Sequence, residues 1–327
     1  MLVGLINPAA GAAPAVELAH VLASASPRLR LFMSDRPDDI DALVTTLRGG
    51  GSEHNGGAEL LVIAGGDGTV VNLLTRFAAA GALAAVPPLL VLPAGRVNTI
   101  ASALVGSRKP AQLAQRILHA WMRGVRRLQR MPILRLQVAG QPDHVGVTVS
   151  LGAVARVHAD YRQARFQGAP GIAELLLRLA LQRLPSDRFA PIRGPFDLRP
   201  GPMGPNVVTA GVLSPLPGFF GLVRPFPGVR TIASQGFHTA LSSFGPLATQ
   251  AAMSGMVRGY LGHSPQLQFG EHTHFGWKNG DREDLIVLDG EEIRVAPHAD
   301  VAVSVAGHVR MLVWREMPLP GAPVERV

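Results

Sequence analysis

The sequence contains no cysteine, and this absence removes several kinds of chemistry. It excludes disulfide bridges, thiolate zinc sites and cysteine nucleophiles, so chemistry must come from carboxylates, histidines or hydroxyls. The chain also lacks any stretch approaching the roughly 18 uninterrupted apolar residues of a spanning helix. Its apolar start carries none of the positive charge of a signal peptide. We therefore expect neither an integral membrane protein nor a cleaved leader, and the composition is compatible with a reducing, cytoplasmic compartment.

What the chain does have is length, apolar residues and positive charge. Its 327 residues suffice for two domains, and its formal net charge is +8. Such a charge attracts polyanions, among them nucleotides, nucleic acid and anionic lipid headgroups, and charge by itself leaves these open. The hydrophobic fraction of 47% fits a protein that touches a bilayer or holds an apolar substrate. It fits equally well a core rich in alanine and leucine.

Two patterns of periodicity divide the chain. In the first third, short apolar runs alternate with helical patterns, which is typical of a parallel sheet with helices on both faces. From about Arg126 short strands prevail in a region rich in proline and glycine, which predicts a β-rich second domain. Its predicted strands include 133–138, 145–149, 285–288 and 293–295. A nearly all-round apolar helix predicted over 171–184 must be buried or meet lipid.

A glycine-rich pentad follows the predicted strand 60–64 and leads into a helix. Gly65, Gly66 and Gly68 let backbone N–H groups approach phosphate oxygens, and Thr69 adds a hydroxyl. Asp67 suits Mg²⁺ beside a phosphate, or a proton taken from an attacking hydroxyl. The alternative is a glycine turn with an aspartate helix cap. Neither a P-loop nor a dinucleotide fingerprint is present.

Two further loops are expected at the same edge of the sheet. Asn7-Pro8 with Gly11 follows the first strand, and Pro93 to Asn98 follows the strand at 89–92. Each supplies a glycine, a proline-fixed turn and an asparagine able to bond a nucleotide. Because ligands bind at the carboxyl ends of strands in open α/β sheets, these loops predict one shared site.

The order of these motifs resembles the diacylglycerol kinase catalytic family, which includes bacterial lipid kinases and sphingosine and ceramide kinases. The matching elements run from Asn7-Pro8 through the pentad and Pro93-x-Gly95-x-x-Asn98 to Asp289-Gly290-Glu291. The resemblance implies an α/β nucleotide-binding domain with a parallel sheet, like that of NAD kinase and diacylglycerol kinase, followed by a β-sandwich. The implied ranges are an ATP-binding domain at 1–127, a lipid-binding domain at 128–295 and strands returning to the first domain at 296–327.

The resemblance also implies roles for individual residues. It implies that Asn7, Gly66, Thr69, Gly95 and Asn98 line the ATP site. We predict in addition that Gly65, Gly68 and Arg96 bind the nucleotide. Asp289 matches the general base of bacterial lipid kinases, and Glu291 matches the residue that organises Mg²⁺. In the sphingosine kinase branch the base is the residue matched by Asp67. We assign the base to Asp289 and the metal to Asp67 and Glu291, whereas a tight hairpin turn is the alternative for Asp289-Gly290.

Four positions depart from the family's usual pattern. The family usually has serine at Ala10, glutamate at Asn72, threonine at Arg96 and aspartate at Thr99. Two acidic groups are therefore missing near the nucleotide. Arg96 is predicted to bond a phosphate directly, because its planar fork suits phosphate oxygens.

Membrane contact has two candidate segments. The apolar run from Phe219 to Phe226 either dips into a bilayer or forms a buried loop, and a basic run at 123–130 is either a membrane-facing patch or a solvated face. We expect a lipid substrate and peripheral association with the inner membrane face, no nucleic acid partner, and a homodimer as an allowed assembly. His272 and His274 make a weak metal motif, and we expect no zinc.

The leading hypothesis is an enzyme that transfers the γ-phosphoryl group of ATP, with Mg²⁺, to the hydroxyl of diacylglycerol, ceramide or a sphingoid-type lipid. One alternative is a nucleotide kinase such as NAD kinase, which shares the Gly-Gly-Asp-Gly-Thr loop. Another is a nucleotide- or lipid-binding regulator with weakened catalysis, suggested by Asn72, Arg96 and Thr99.

Overall fold

The computed structural model describes residues 1–10, 15–26, 29–34, 36–49, 58–95, 98–106, 109–162, 174, 177–178, 186–201, 205–219, 223–245, 248–249 and 264–314. The α-helices within these ranges are α1 (Ala15–Ala25), α2 (Pro37–Gly49), α3 (Asp67–Ala79), α4 (Thr99–Leu104), α5 (Pro110–Met122) and α6 (Ala153–Arg162). The strands are β1 (Leu2–Ile6), β2 (Leu29–Met33), β3 (Leu60–Gly65), β4 (Leu89–Pro93), β5 (Leu128–Val138), β6 (His144–Gly146), β7 (Val149–Gly152), β8 (Ile192–Arg193), β9 (Phe196–Arg199), β10 (Val207–Val208), β11 (Ala210–Ser214), β12 (Phe237–Ser242), β13 (Leu267–His272), β14 (His274–Lys278), β15 (Asp284–Leu288), β16 (Glu291–Val295) and β17 (Asp300–Leu312).

The chain divides into two compact units. The first comprises residues 1–131 and 307–327, and the second comprises residues 132–306. The divisions predicted from the sequence lie at 127 and 295, the first from the change of periodicity near Arg126 and the second from the family resemblance. The structural divisions fall later, because β5 and β17 are long strands that each belong partly to both units.

The first unit is built on a parallel sheet. Its strand order is β2-β1-β3-β4, and β17 joins β4 in parallel through Met311 and Leu89. Strands β1, β3 and β4 are buried along their whole length, as expected for a parallel sheet covered on both faces. The register aligns Ile6 with Ala64 and Gly65 with Pro93, so the loops that follow these three strands leave from one edge. This confirms the predicted α/β architecture.

The second unit contains antiparallel sheets. One has the order β13-β12-β11-β7-β15-β16, while β14 pairs with β9 and β17 in another. Buried residues from both sheets form a single core, in which Phe196 and Phe275 stack with their ring centroids 5.6 Å apart. The prediction of a β-rich second domain is confirmed, with buried residues of two antiparallel sheets filling the space between them.

Three sequence-based predictions about the second unit need correction or lie outside the description. The single strand predicted over 145–149 is wrong, because the backbone N–H groups of Val147 and Thr148 bond to the side chain of Asp289 rather than to a strand. Phe219 and Phe226 are buried in a cluster with Val212 and Ala240, so neither contributes an exposed apolar surface. The helix predicted over 171–184, together with Phe220, Gly221 and Leu222, falls mostly or wholly outside the described residues.

None of the helices that the structure describes combines the length and the apolar character needed to cross a bilayer.

Candidate nucleotide site and acidic hairpin

The glycine-rich pentad forms the turn between β3 and α3. Gly66 is extended, with φ −86° and ψ 177°, and α3 begins at the next residue. The first N–H groups of a helix have no partner within the helix and carry partial positive charge, which suits an anion. Gly68 is exposed, and a Cβ built there would meet no atom of the described residues within 4 Å. The turn therefore presents an open backbone surface of the kind that binds phosphate.

The first loop is bonded to the pentad. The Asn7 side-chain amide donates to Thr69 Oγ1 over 2.9 Å, and Asn7 Oδ1 accepts the N–H of Ala9 over 2.9 Å. The backbone N–H of Asn7 also bonds to the carbonyl of Ala64. The structure thus brings Asn7 and Thr69 together as predicted positions of one site, and it gives the Asn7 side chain a structural task as well. Gly11 of this loop lies outside the described residues.

The third loop packs on the pentad without room for a side chain. A Cβ at Gly95 would lie 2.2 Å from Gly66 Cα, so the two glycine backbones meet directly. Asn98 adopts a left-handed conformation with φ 56°, which asparagine tolerates well. Its Oδ1 accepts the N–H of Gly95 over 2.6 Å, and its amide donates to the Gly95 carbonyl. Arg96, predicted to bond phosphate, lies outside the described residues.

Asp67 ties the pentad to the start of α4. Its two carboxylate oxygens accept the N–H groups of Thr99 over 2.7 Å and of Ile100 over 2.9 Å. Burial raises the pKa of Asp67, and the two amide bonds act against that rise. Asp67 is therefore a helix cap, as the alternative interpretation had it, but it caps a helix 32 residues further along the chain.

Asn72 lies at a position where the diacylglycerol kinase family usually has glutamate. Its side chain belongs to a hydrogen-bond network with Arg76 and Asp41. Its Oδ1 accepts a hydrogen bond from Arg76 Nε over 2.9 Å. Arg76 in turn donates to both carboxylate oxygens of Asp41, over 2.6 and 2.7 Å. The amide of Asn72 thus supports an ion pair between α3 and α2.

The acidic residues of the second unit lie at a two-residue hairpin between β15 and β16. Asp289 has φ 48° and Gly290 has φ 95°, the pattern of a type I′ turn, and Leu288 pairs with Glu291. The Asp289 carboxylate accepts the N–H groups of Val147 over 2.6 Å and Thr148 over 2.9 Å. Glu291 is exposed. The hairpin alternative is thus the observed backbone, and the carboxylate is held in addition by a loop distant in sequence.

Gly146 is a residue that sequence reasoning missed. A Cβ at this position would lie 2.3 Å from an oxygen of Asp289, so only glycine allows the carboxylate to reach the neighbouring N–H groups. No local signal could have revealed this, because residues 147 and 289 are 142 positions apart.

The fit of Mg²⁺ was examined on the donor atoms present. Within the described residues, no group of three or more histidine, aspartate or glutamate side chains could hold a metal by itself. Mg²⁺ commonly uses only one or two carboxylates together with water and substrate phosphates. The Asp67 carboxylate accepts two backbone N–H groups and also a side-chain hydrogen bond from Thr99. Because a carboxylate has about four lone-pair sites, one is left for a metal. Asp67 therefore fits as a single protein ligand, and Glu291 as a second remains a prediction.

A comparison with protein families gives the first 129 residues a known relationship. Residues 1–129 match the family model of the diacylglycerol kinase catalytic domain. The predicted family relationship is confirmed for this region. The matched region includes Asn7, the pentad and Asn98, whereas the acidic hairpin lies beyond it. The first part of the chain therefore carries a kinase-family domain. No curated protein matches the sequence.

Among the solved structures with a similar fold are three from Bacillus anthracis str. Sterne. They are described as diacylglycerol kinases or candidates for that activity, and they match with TM-scores of 0.67, 0.62 and 0.65. Their sequences are 14%, 13% and 15% identical to this chain. The matches cover 95%, 95% and 96% of this chain and 96%, 96% and 97% of the respective structures. At such identity they support the two-part fold of the whole chain rather than a particular activity.

Proposed function

We propose that the protein is an ATP-dependent lipid kinase that transfers the γ-phosphoryl group of ATP to a lipid hydroxyl. The observation that carries the proposal is the joining of three loops at one edge of the parallel sheet. Asn7 bonds to Thr69, Gly66 meets Gly95, and Asp67 bonds to the start of α4. The match of residues 1–129 to the diacylglycerol kinase catalytic domain gives this arrangement its chemical context.

The pentad would hold the ATP phosphates through backbone N–H groups at the start of α3. Mg²⁺, when bound, would neutralise charge on the transferring phosphoryl group, and Asp67 would be its protein ligand. Asp289 would accept the proton of the lipid hydroxyl while that oxygen attacks the γ-phosphorus. The bond between the γ-phosphorus and its bridging oxygen breaks, and ADP leaves with the electron pair.

Two substitutions separate the proposed roles of the aspartates. Asp289→Asn should abolish transfer and leave Mg·ATP affinity nearly intact, because an amide keeps the shape but accepts no proton. Asp67→Asn should weaken both Mg·ATP binding and turnover. Each change also turns an amide NH₂ towards a backbone N–H, which costs about 1–3 kcal/mol of folding free energy. Calorimetric titration and turnover should therefore be measured on variants whose folding has been checked by denaturation.

The opposite result would assign the role of general base to Asp67 instead of Asp289. If Asp67→Asn binds Mg·ATP normally but is inactive while Asp289→Asn stays active, Asp67 is the base and Asp289 is a turn residue. The acceptor is identified separately by radiolabelled ATP assays with diacylglycerol, ceramide, sphingoid bases and NAD. If radiolabel from ATP appears in NAD alone, the protein is a nucleotide kinase and the proposal is wrong.

A second candidate is a regulator that binds nucleotide and lipid with weakened catalysis. It is supported by Asn72, whose amide serves the Arg76–Asp41 ion pair, and by the commitment of both Asp67 oxygens to N–H groups of α4. This candidate predicts ATP binding without transfer to any lipid tested.

A further inference from the structure

The end of α5 and the following turn form an exposed surface of the first unit that the nucleotide loops do not use. We call residues 122–130 the arginine turn. Met122 is 51% exposed and Val125 is 44% exposed, which is unusual for large apolar side chains. The arginines at 123, 126, 127 and 130 are all exposed as well. Apolar and positively charged side chains therefore alternate on one short surface segment.

The backbone of the arginine turn is well defined. Helix α5 ends in a Schellman motif, in which the N–H of Val125 bonds to the Ala120 carbonyl over 3.0 Å and that of Gly124 to the Trp121 carbonyl over 2.9 Å. Gly124 has φ 83°, as the motif requires. The residue at the position of Val125 usually packs on a large side chain of the last helical turn. The matching positions here are Ala120 and His119, neither of them a large apolar residue, and Val125 is 44% exposed.

The stretch of sequence that contains the arginine turn carries charge of one sign. Between Asp67 and Asp143 the sequence has ten basic residues and no acidic residue, although the rest of the chain is slightly acidic. In the part of the chain that the structure describes, none of the turn's four arginines forms an ion pair. Arg126 lies over the Trp121 ring, 4.9 Å from its centroid. A single arginine would suffice to complement the helix dipole, so that effect does not account for four.

We propose that the arginine turn docks the protein on anionic phospholipid bilayers. The arginines would meet lipid phosphates, and Met122 and Val125 would enter the interface, because basic residues combined with apolar side chains favour that boundary. Phe219 and Phe226, the apolar residues first considered for membrane contact, are buried, whereas Met122 and Val125 are exposed beside the four arginines. A nucleic acid would use the arginines but gain little from two exposed apolar side chains. The proposed docking depends only on these observations, whereas a role for it in lipid phosphorylation rests on the proposed function.

The test is flotation of the full chain with vesicles of phosphatidylglycerol or of phosphatidylcholine. The wild type should bind the anionic vesicles, and added salt should weaken binding because it screens surface charge. Arg123→Gln/Arg127→Gln should weaken binding about 30-fold, since each arginine near the surface contributes about 1 kcal/mol. Met122→Ser/Val125→Ser should weaken it by about tenfold, for two half-exposed side chains that lose apolar burial.

Matched variants control for charge and apolar area. Arg48→Gln/Arg282→Gln removes the same charge elsewhere, and Val16→Ser alters a side chain that is 69% exposed on α1. Both should bind as the wild type, and circular dichroism should show every variant folded. Equal loss in the controls, equal binding to phosphatidylcholine, or loss of duplex DNA binding instead of vesicle binding would overturn the proposal.

A water-soluble short-chain diacylglycerol separates this inference from the proposed function. Arg123→Gln/Arg127→Gln should phosphorylate the soluble lipid normally and lose activity on vesicle lipid. Unchanged activity on vesicles would refute the docking surface. If the wild type phosphorylates neither lipid, the proposed function fails, and flotation still decides the docking.

Discussion

Gly68 and Gly95 belong to the same predicted phosphate site, yet the structure gives them different reasons to be glycine. A Cβ at Gly95 would lie 2.2 Å from the backbone of Gly66, whereas one at Gly68 would meet no atom of the described residues within 4 Å. Gly95→Ala must therefore push two loops apart. Gly68→Ala meets no obstacle among the residues that the structure describes, so we expect its effect on a bound ligand.

The expected magnitudes have opposite signs. Gly95→Ala should lower the free energy of unfolding by about 1–3 kcal/mol, the usual cost of overpacking. Gly68→Ala should raise it by about 0.5 kcal/mol, because alanine has less backbone freedom to lose in a helix. If phosphates rest on the backbone at Gly68, the same change should weaken ATP binding by about tenfold, or about 1.4 kcal/mol.

Urea denaturation measures the first quantity, and calorimetric titration with Mg·ATP measures the second. The decisive result is a Gly68→Ala variant that is at least as stable as the wild type and yet binds ATP poorly. If that variant binds ATP with unchanged affinity, the phosphates do not approach the start of α3. A Gly95→Ala variant with unchanged stability would show that the two loops are not packed as described.

Two further predictions concern the second unit. Burial lowers the pKa of His238 from its ordinary value of 6.5, so the unfolded chain binds more protons below that pH, and native stability should fall as the pH drops through this range. His238→Gln should make the dependence of stability on pH weaker in this range. Burial also lowers the pKa of His272, so that residue should account for part of the remaining dependence. A dependence identical to that of the wild type would contradict this. The Arg156–Asp284 ion pair joins side chains that are 16% and 10% exposed at 2.8 Å, so Arg156→Ala should cost about 3 kcal/mol in thermal or urea unfolding by leaving a buried charge unpaired. Arg294→Ala, at a side chain that is 78% exposed, should cost under about 1 kcal/mol, and equal costs for the two would refute the argument from burial.

Local patterns were enough to predict much of the candidate site. The pentad from Gly65 to Thr69 joins a buried strand to a helix, and both elements are visible in the periodicity of neighbouring residues. Since strands of a parallel sheet point the same way, the loops at Asn7 and Gly95 could be expected at the same edge. The register of β1, β3 and β4 agrees with that expectation.

Contacts between distant residues account for what the sequence did not predict. Residues 145–149 look like one strand, because nothing nearby reveals that their N–H groups bond to Asp289. The segment around Phe219 and Phe226 has the composition of either a membrane loop or a buried loop, and only packing against Val212 and Ala240 decides for burial. The exposure of Met122 and Val125 likewise depends on which neighbours the fold supplies.

The sequence by itself therefore determined the α/β class of the first unit and the position of the glycine-rich turn, and it indicated the hairpin at Asp289-Gly290 as an alternative to a catalytic role. Each of these follows from residues close together in the chain, where periodicity, glycine conformation and turn chemistry act locally. Only the tertiary structure decided which groups the Asp67 and Asp289 carboxylates bond, because hydrogen-bond partners 32 and 142 residues away are chosen by the fold as a whole.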